Sequence, residues 1–151
     1  MKKLKTIIMK KVLLAAIIAV SLISSAFAAP VKKVNAFVAN SFNNDFKNVG
    51  SVAWDVSSSY AKATFVLDNI RTEAFYTLDG EFIGTTHAIA IEDLPVAAKR
   101  SFAKKYAGYT VKEAIKFDGE DGTAYFISAE NEKESVILKA GKSGLSVYNV
   151  K

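Results

Sequence analysis

The sequence offers few side chains for catalysis, and His87 is its single histidine. A histidine that serves as the base of a serine triad needs an acidic partner and an activated serine. The chain contains no nucleophile-elbow motif, and a zinc site would need several histidine or cysteine ligands at defined spacings. Cysteine is absent. We therefore interpret His87 as a structural or surface residue, and a small hydrolase that uses His87 is the weakest alternative.

Two short polar stretches invite a ligand-binding interpretation. DGEDG at 118–122 is too short for a calcium loop, whose ligands alternate along the chain with a glutamate further downstream. GKSG at 141–144 lacks the rest of a phosphate-binding loop. Both stretches separate strand-like segments, so we predict hairpin turns. We predict no catalytic residue, no metal and no cofactor, although a carboxylate pair acting as acid and base stays open.

Two segments 60 residues apart have apolar residues at every fourth position. They contain Val34, Val38, Phe42 and Phe46, and then Leu94, Ala98, Phe102 and Tyr106. This spacing predicts a helix with one apolar stripe in each segment. Asn48 and Gly108 follow the two stripes, and both residue types suit the left-handed conformation that ends helices. We expect Asp93 to cap the second helix, with Pro95 in its first turn.

Four strand-like segments with alternating apolar residues follow each predicted helix. Turn sequences such as Asp79-Gly80 join them, which is typical of hairpins. We predict an α+β fold: a duplicated unit of one helix and four strands, forming an antiparallel sheet of about eight strands with both helices packed on one face. The single domain covers residues 29–151, with repeats at about 31–91 and 92–151. With one residue inserted after the helix, aligning the repeats matches Trp54 with Ile115 and Val56 with Phe117.

The first 28 residues have the pattern of a secretory signal peptide. Five lysines precede the apolar segment 12–23, and Ala26 and Ala28 supply the small residues of a cleavage site between Ala28 and Ala29. The apolar segment is shorter than the ~20 residues of a spanning helix. No cysteine follows it, which excludes a lipid anchor. We expect a periplasmic or secreted protein with no stable membrane span after cleavage.

The charge balance changes when the signal peptide is removed. The whole chain has a net charge of +5, but five of its 20 basic residues lie in the signal peptide. The remainder carries 15 basic and 15 acidic residues. A nucleic-acid-binding protein needs a basic surface to neutralise phosphates. We therefore expect no nucleic-acid partner.

Several of these features together resemble a known family. They are Trp54, YAKATF at 60–65, Asp79-Gly80, Phe82 and Leu94-Pro95. The chain is similar over its whole mature length to the secreted PepSY-like proteins of the beta-lactamase-inhibitor-like fold, which are abundant in Bacteroidetes-type bacteria. The resemblance implies the fold above. Fold relatives include inhibitors that bind beta-lactamases through an open sheet face, and PepSY domains proper restrain peptidases. No inhibitory residue can be matched position by position.

Strand alternation predicts a binding surface on the side of the sheet away from the helices. Neighbouring strand residues point to opposite sides, so Phe75, Phe126 and Ile137 should face away from the helices. We expect them to form an exposed apolar patch rimmed by charged residues such as Lys62 and Glu73, as interaction sites often are.

These features predict an exported, non-catalytic module that binds another protein through the open sheet face. Its role would be to inhibit or regulate an envelope or secreted enzyme of the peptidase or beta-lactamase class. The main alternative is a structural or envelope-stress protein that self-associates through the sheet as a homo-oligomer.

Overall fold

The computed structural model describes residues 33–148. The predicted signal peptide, with its cleavage site between Ala28 and Ala29, lies outside the described residues. The described part contains two α-helices, one 3-10 turn and eight strands, so the α+β prediction is confirmed.

Helix α1 spans Ala36–Asp45 and has a side-chain cap at its start. The Asn35 Oδ1 accepts a 3.0 Å hydrogen bond from the backbone N–H of Val38, and its Nδ2 donates a 2.8 Å bond to the carbonyl of Leu78. One residue therefore both begins the helix and ties it to the end of a strand. Asn48 adopts φ 61°, the left-handed conformation predicted for the end of this segment.

Helix α2 spans Val96–Lys105 and lacks the predicted aspartate cap. Asp93 belongs to the 3-10 turn Ile91–Asp93, and Pro95 occupies the capping position without a side-chain hydrogen bond. The prediction for Asp93 was wrong, because Asp93 lies within the 3-10 turn and Pro95 stands between it and the first residue of the helix. Proline suits that entry because it has no N–H that would need a partner.

The eight strands form one antiparallel sheet in which each strand pairs with its sequence neighbour. The strands are β1 Ala53–Val56, β2 Tyr60–Leu67, β3 Ile70–Thr77, β4 Phe82–Ala88, β5 Thr110–Gly119, β6 Gly122–Glu130, β7 Ser135–Gly141 and β8 Gly144–Val147. The DGEDG and GKSG stretches are the predicted hairpin turns, since each leaves only two residues between paired strands. β1 and β8 are the edges of the sheet.

Both helices pack on the same side of the sheet. Val38 and Phe42 of α1 pack with residues of β2 and β3, among them Ala63. Leu94 and Ala98, before and within α2, pack with residues of β6 to β8, among them Ile127. The strand register places these two apolar clusters on one side.

The two halves do not superpose as the sequence alignment implied. Trp54 packs in the cluster under α1, whereas its predicted counterpart Ile115 packs on the opposite side of the sheet. The residue 60 positions after Trp54 is Ala114, which does pack with α2. The residue inserted in the alignment therefore exchanged the two sides of β5, because neighbouring strand residues point to opposite sides. A helix followed by four strands does occur twice, but duplication itself stays a prediction.

Candidate functional site

The candidate site is the helix-free face, which we define as the side of the sheet opposite α1 and α2. Two small clusters of buried and partly buried side chains lie on it. One contains Ile115, Phe117 and Phe126 with Ala124, Ile137 and Tyr148, and the other contains Tyr60, Phe75 and Ile83. All but Tyr148, which follows β8, belong to strands, so the sheet carries its own apolar layer on this side.

Phe75 and Phe126 lie on the helix-free face as predicted, but they are not exposed. Both side chains are 0% accessible to solvent. The Phe126 ring packs edge-on against Tyr148 with 5.0 Å between centroids, and the Lys139 Nζ lies 5.7 Å from its centroid. The prediction of an exposed aromatic patch was therefore wrong, because side chains from later in the chain cover the ring.

Phe75 is covered in the other half of the face. The Tyr60 ring packs against it with 5.8 Å between centroids, and Lys62 is its register partner on β2. Burial raises the pKa of the Tyr60 hydroxyl, and the nearby carboxylate of Asp55 raises it further. The Tyr60 hydroxyl therefore stays protonated and neutral at neutral pH.

Two glycines make room for the Phe117 ring. Gly84 of β4 and Gly119 of β5 are register partners, and a Cβ added at either would lie 2.5 to 2.6 Å from the ring. Real Cβ atoms do not come so close to a carbon. The ring can lie across the β4–β5 pair only because both positions lack side chains.

Lys62 and Glu73, which the sequence predicted as rim residues, form a half-buried ion pair. The Lys62 Nζ lies 3.4 Å from Glu73 Oε1 and 3.9 Å from Asp55 Oδ2, and the Lys62 and Glu73 side chains are only 14% and 17% exposed. Thr86 Oγ1 donates a 3.4 Å hydrogen bond to the other Glu73 oxygen. The structure brings Lys62 and Glu73 together beside Phe75, while Ile137 packs with the Phe126 cluster.

A pocket of about 150 Å³ opens beside this ion pair, over β3, β4 and β5. It combines three charged side chains with polar and apolar groups. Its lining residues are Arg71, Glu73, Thr86, His87, Ala88, Glu113 and Ile115. Burial raises the pKa of Glu113, Glu73 raises it further, and Arg71 opposes the rise. The pocket thus contains a carboxylate whose ionised form is disfavoured by its surroundings.

Sequence reasoning missed Arg71, Thr86 and Glu113. Arg71 could have been found, since it lies two positions before Glu73 on the same strand and must face the same side. Glu113 was harder to place, because alternation breaks between Val111 and Glu113, so counting from Val111 assigns Glu113 to the wrong side of the sheet. The pocket exists only where three strands meet, and the sequence gives no direct signal of that.

Although His87 contributes to the pocket lining, it pairs in the strand register with Lys116, which lies on the helix-covered side of the sheet. Lys116 Nζ lies 2.8 Å from Asp118 Oδ2. Although burial acts to raise it, the pKa of Asp118 is below its ordinary value because Lys116 and Thr123 hydrogen-bond to it and His87 lies nearby. Within residues 33–148, no group of three or more His, Cys, Asp or Glu side chains could hold a metal ion.

Comparison with known proteins identifies the fold. No protein-family model matches the chain, and no curated protein matches it. A DUF2874 family protein from Bacteroides uniformis is 15% identical with a TM-score of 0.67, over 78% of this chain and 88% of that chain. A BLIP-like protein from Bacteroides fragilis is 17% identical with a TM-score of 0.64, over 81% and 88%.

A third solved structure has a similar fold. It is named a "putative periplasmic" protein, from Bacteroides eggerthii, and is 15% identical with a TM-score of 0.68, over 78% of this chain and 90% of that chain. Among the described residues, no helix has the length and apolar character needed to cross a membrane. The similarities support a BLIP-like fold of the Bacteroides type, and the PepSY part of the resemblance stays a prediction.

Proposed function

We propose that the chain is an exported binding module that holds another protein on the helix-free face and performs no covalent chemistry. One observation carries the proposal: the aromatic rings on this face are buried by side chains of the neighbouring strands and not by a helix packed over them. Phe75 and Phe126 are fully inaccessible although no described helix covers them. The side chains above them are therefore held in position before a partner arrives, which lowers the entropy cost of binding.

The surface of this face is polar and charged above the buried layer. Lys62, Glu73 and Asp55 are linked by ion pairs, and Arg71 and Val66 are exposed next to them. Charged groups at an interface rim mainly set specificity and the rate of association. This arrangement supports recognition of a protein surface with complementary charge.

The finer role is inhibition or regulation of an envelope or secreted enzyme, of the peptidase or beta-lactamase class. Support comes from the resemblance to beta-lactamase-inhibitor-like proteins and from the BLIP-like name of one structural neighbour. The recurrence of a helix followed by four strands also supports a domain that arose as a duplicated unit. The signal-peptide pattern supports export.

The test is a capture experiment with matched surface variants. Residues 29–151 are immobilised and exposed to periplasmic and secreted extract of the producing cells. The face variant carries Val66→Glu and Arg71→Glu on the helix-free face. The control variant carries Phe37→Glu and Arg100→Glu on the exposed sides of the helices, so each variant replaces one exposed apolar residue and one exposed arginine.

The proposal predicts a protein that the parent and the control variant retain and the face variant loses. Circular dichroism first confirms that both variants are folded. Retention by the face variant with loss by the control would assign binding to the helices and overturn the proposal. If no protein is retained and sedimentation shows a concentration-dependent mass, the chain self-associates and the proposal fails. A retained enzyme is then assayed with and without the chain for inhibition.

A further inference from the structure

We propose that the pocket over β3, β4 and β5 receives a cationic side chain, lysine or arginine, from the protein bound on the helix-free face. This inference rests on the function proposed above and names the partner chemistry that its central pocket selects. The pocket, of about 150 Å³, has room for the end of one side chain but not for a folded element.

The first argument is the balance of charge around the pocket. Arg71, Glu73 and Glu113 line it, Lys62 pairs with Glu73, and Asp55 in turn pairs with Lys62. At neutral pH these five side chains sum to one negative charge. A single cation entering the pocket would neutralise the group, whereas an anion would leave two negative charges in a half-buried site.

The second argument concerns Glu113, whose carboxylate is not fully compensated. Burial and Glu73 raise its pKa despite the opposing effect of Arg71. Glu73 is already held by Lys62 at 3.4 Å and by Thr86 at 3.4 Å. Glu113 is thus the carboxylate of the pocket that would gain most from an added ammonium or guanidinium group.

The third argument is the apolar part of the lining. Ala88 and Ile115 are register partners on β4 and β5 and contribute alkyl surface beside the carboxylates. Lysine and arginine side chains have an apolar stem and a charged tip. Such a side chain can place its stem on Ile115 and its tip near Glu113. A metal ion would make no apolar contact with Ile115, and a purely apolar side chain would leave Glu113 without a cation.

The test uses amide chemical shifts of isotope-labelled residues 29–151 at low ionic strength. The probes are N-acetyl-lysine-methylamide, its uncharged analogue with norleucine, and the corresponding glutamate compound. The inference predicts saturable shifts at Thr86, Ala88 and Ile115 with the lysine probe. The norleucine and glutamate probes should bind at least about fivefold more weakly, as expected for loss of one charge-assisted contact.

Variants separate the pocket from general charge effects. Glu113→Gln should weaken the lysine probe by about five- to tenfold, while Glu132→Gln in the exposed β6–β7 turn should leave it unchanged. Equal binding of lysine and norleucine, stronger binding of glutamate, or no saturable shift would overturn the inference. In the capture experiment, a partner lost by the Val66→Glu/Arg71→Glu variant but kept by Glu113→Gln would leave the proposed function standing and refute the pocket.

Discussion

Replacing Phe126 with alanine should destabilise the domain strongly, although strand alternation alone places this residue on an open surface. The side chain is 0% exposed and packs against Tyr148 at 5.0 Å and beneath Lys139. Removing a buried phenylalanine ring costs about 3–5 kcal/mol, because the lost contacts leave a cavity. A domain of this size has a net stability of about 5–15 kcal/mol. The variant should therefore retain only part of its free energy of unfolding.

The assay is urea unfolding of residues 29–151, followed by circular dichroism. Val66→Ala is the matched control, since Val66 lies on the same face but is 58% exposed. Its free energy of unfolding should change by less than about 0.5 kcal/mol. If Phe126→Ala lowered the free energy of unfolding by less than about 1 kcal/mol, its effect would be close to that of a surface substitution. That result would refute a buried aromatic layer on this face.

Three further predictions follow from single contacts. Gly84→Ala should lower the free energy of unfolding in urea by roughly 1–3 kcal/mol, because the added Cβ would lie 2.5 Å from the Phe117 ring. Gly50→Ala is the control and should be nearly neutral, because a Cβ added there has no atom within 4 Å. Asn35→Ala should cost about 0.5–2 kcal/mol in thermal or urea unfolding, since it removes the α1 cap and the bond to Leu78; an unchanged midpoint would contradict that role. The pKa of Glu113 is raised in the folded protein, so this carboxyl group binds a proton more tightly there than in the unfolded chain. The stability of the parent relative to Glu113→Gln should therefore fall as pH rises above ~4.3. A relative stability that rises over that range in unfolding curves would contradict the assignment.

Periodicity and turn chemistry were enough to predict the order of elements. The four-residue spacing of Val38 and Phe42 reports a helix because those side chains share one face of it. The turns at Asp79-Gly80 and at 120–121 are local, and their residue types favour them directly. Such features depend on neighbours in sequence, so a single chain contains the necessary signal.

The exposure of the helix-free face could not be predicted in the same way. Alternation assigns Phe126 to a side of the sheet but does not show that Tyr148 and Lys139 cover it, since they belong to other strands or follow them. The register irregularity in β5 likewise places Glu113 away from the side that counting from Val111 implies. Both effects arise from contacts between strands, which composition and spacing do not encode.

The most direct test of the central claim is site-specific photo-crosslinking in the producing cells. A photoreactive phenylalanine analogue is placed at Val66 on the helix-free face, and in a separate strain at Phe37 on α1, since both positions are exposed. We predict a specific crosslinked protein from position 66 and none from position 37. A crosslink from position 37 alone, equal yields from both, or none from either would contradict binding through the helix-free face.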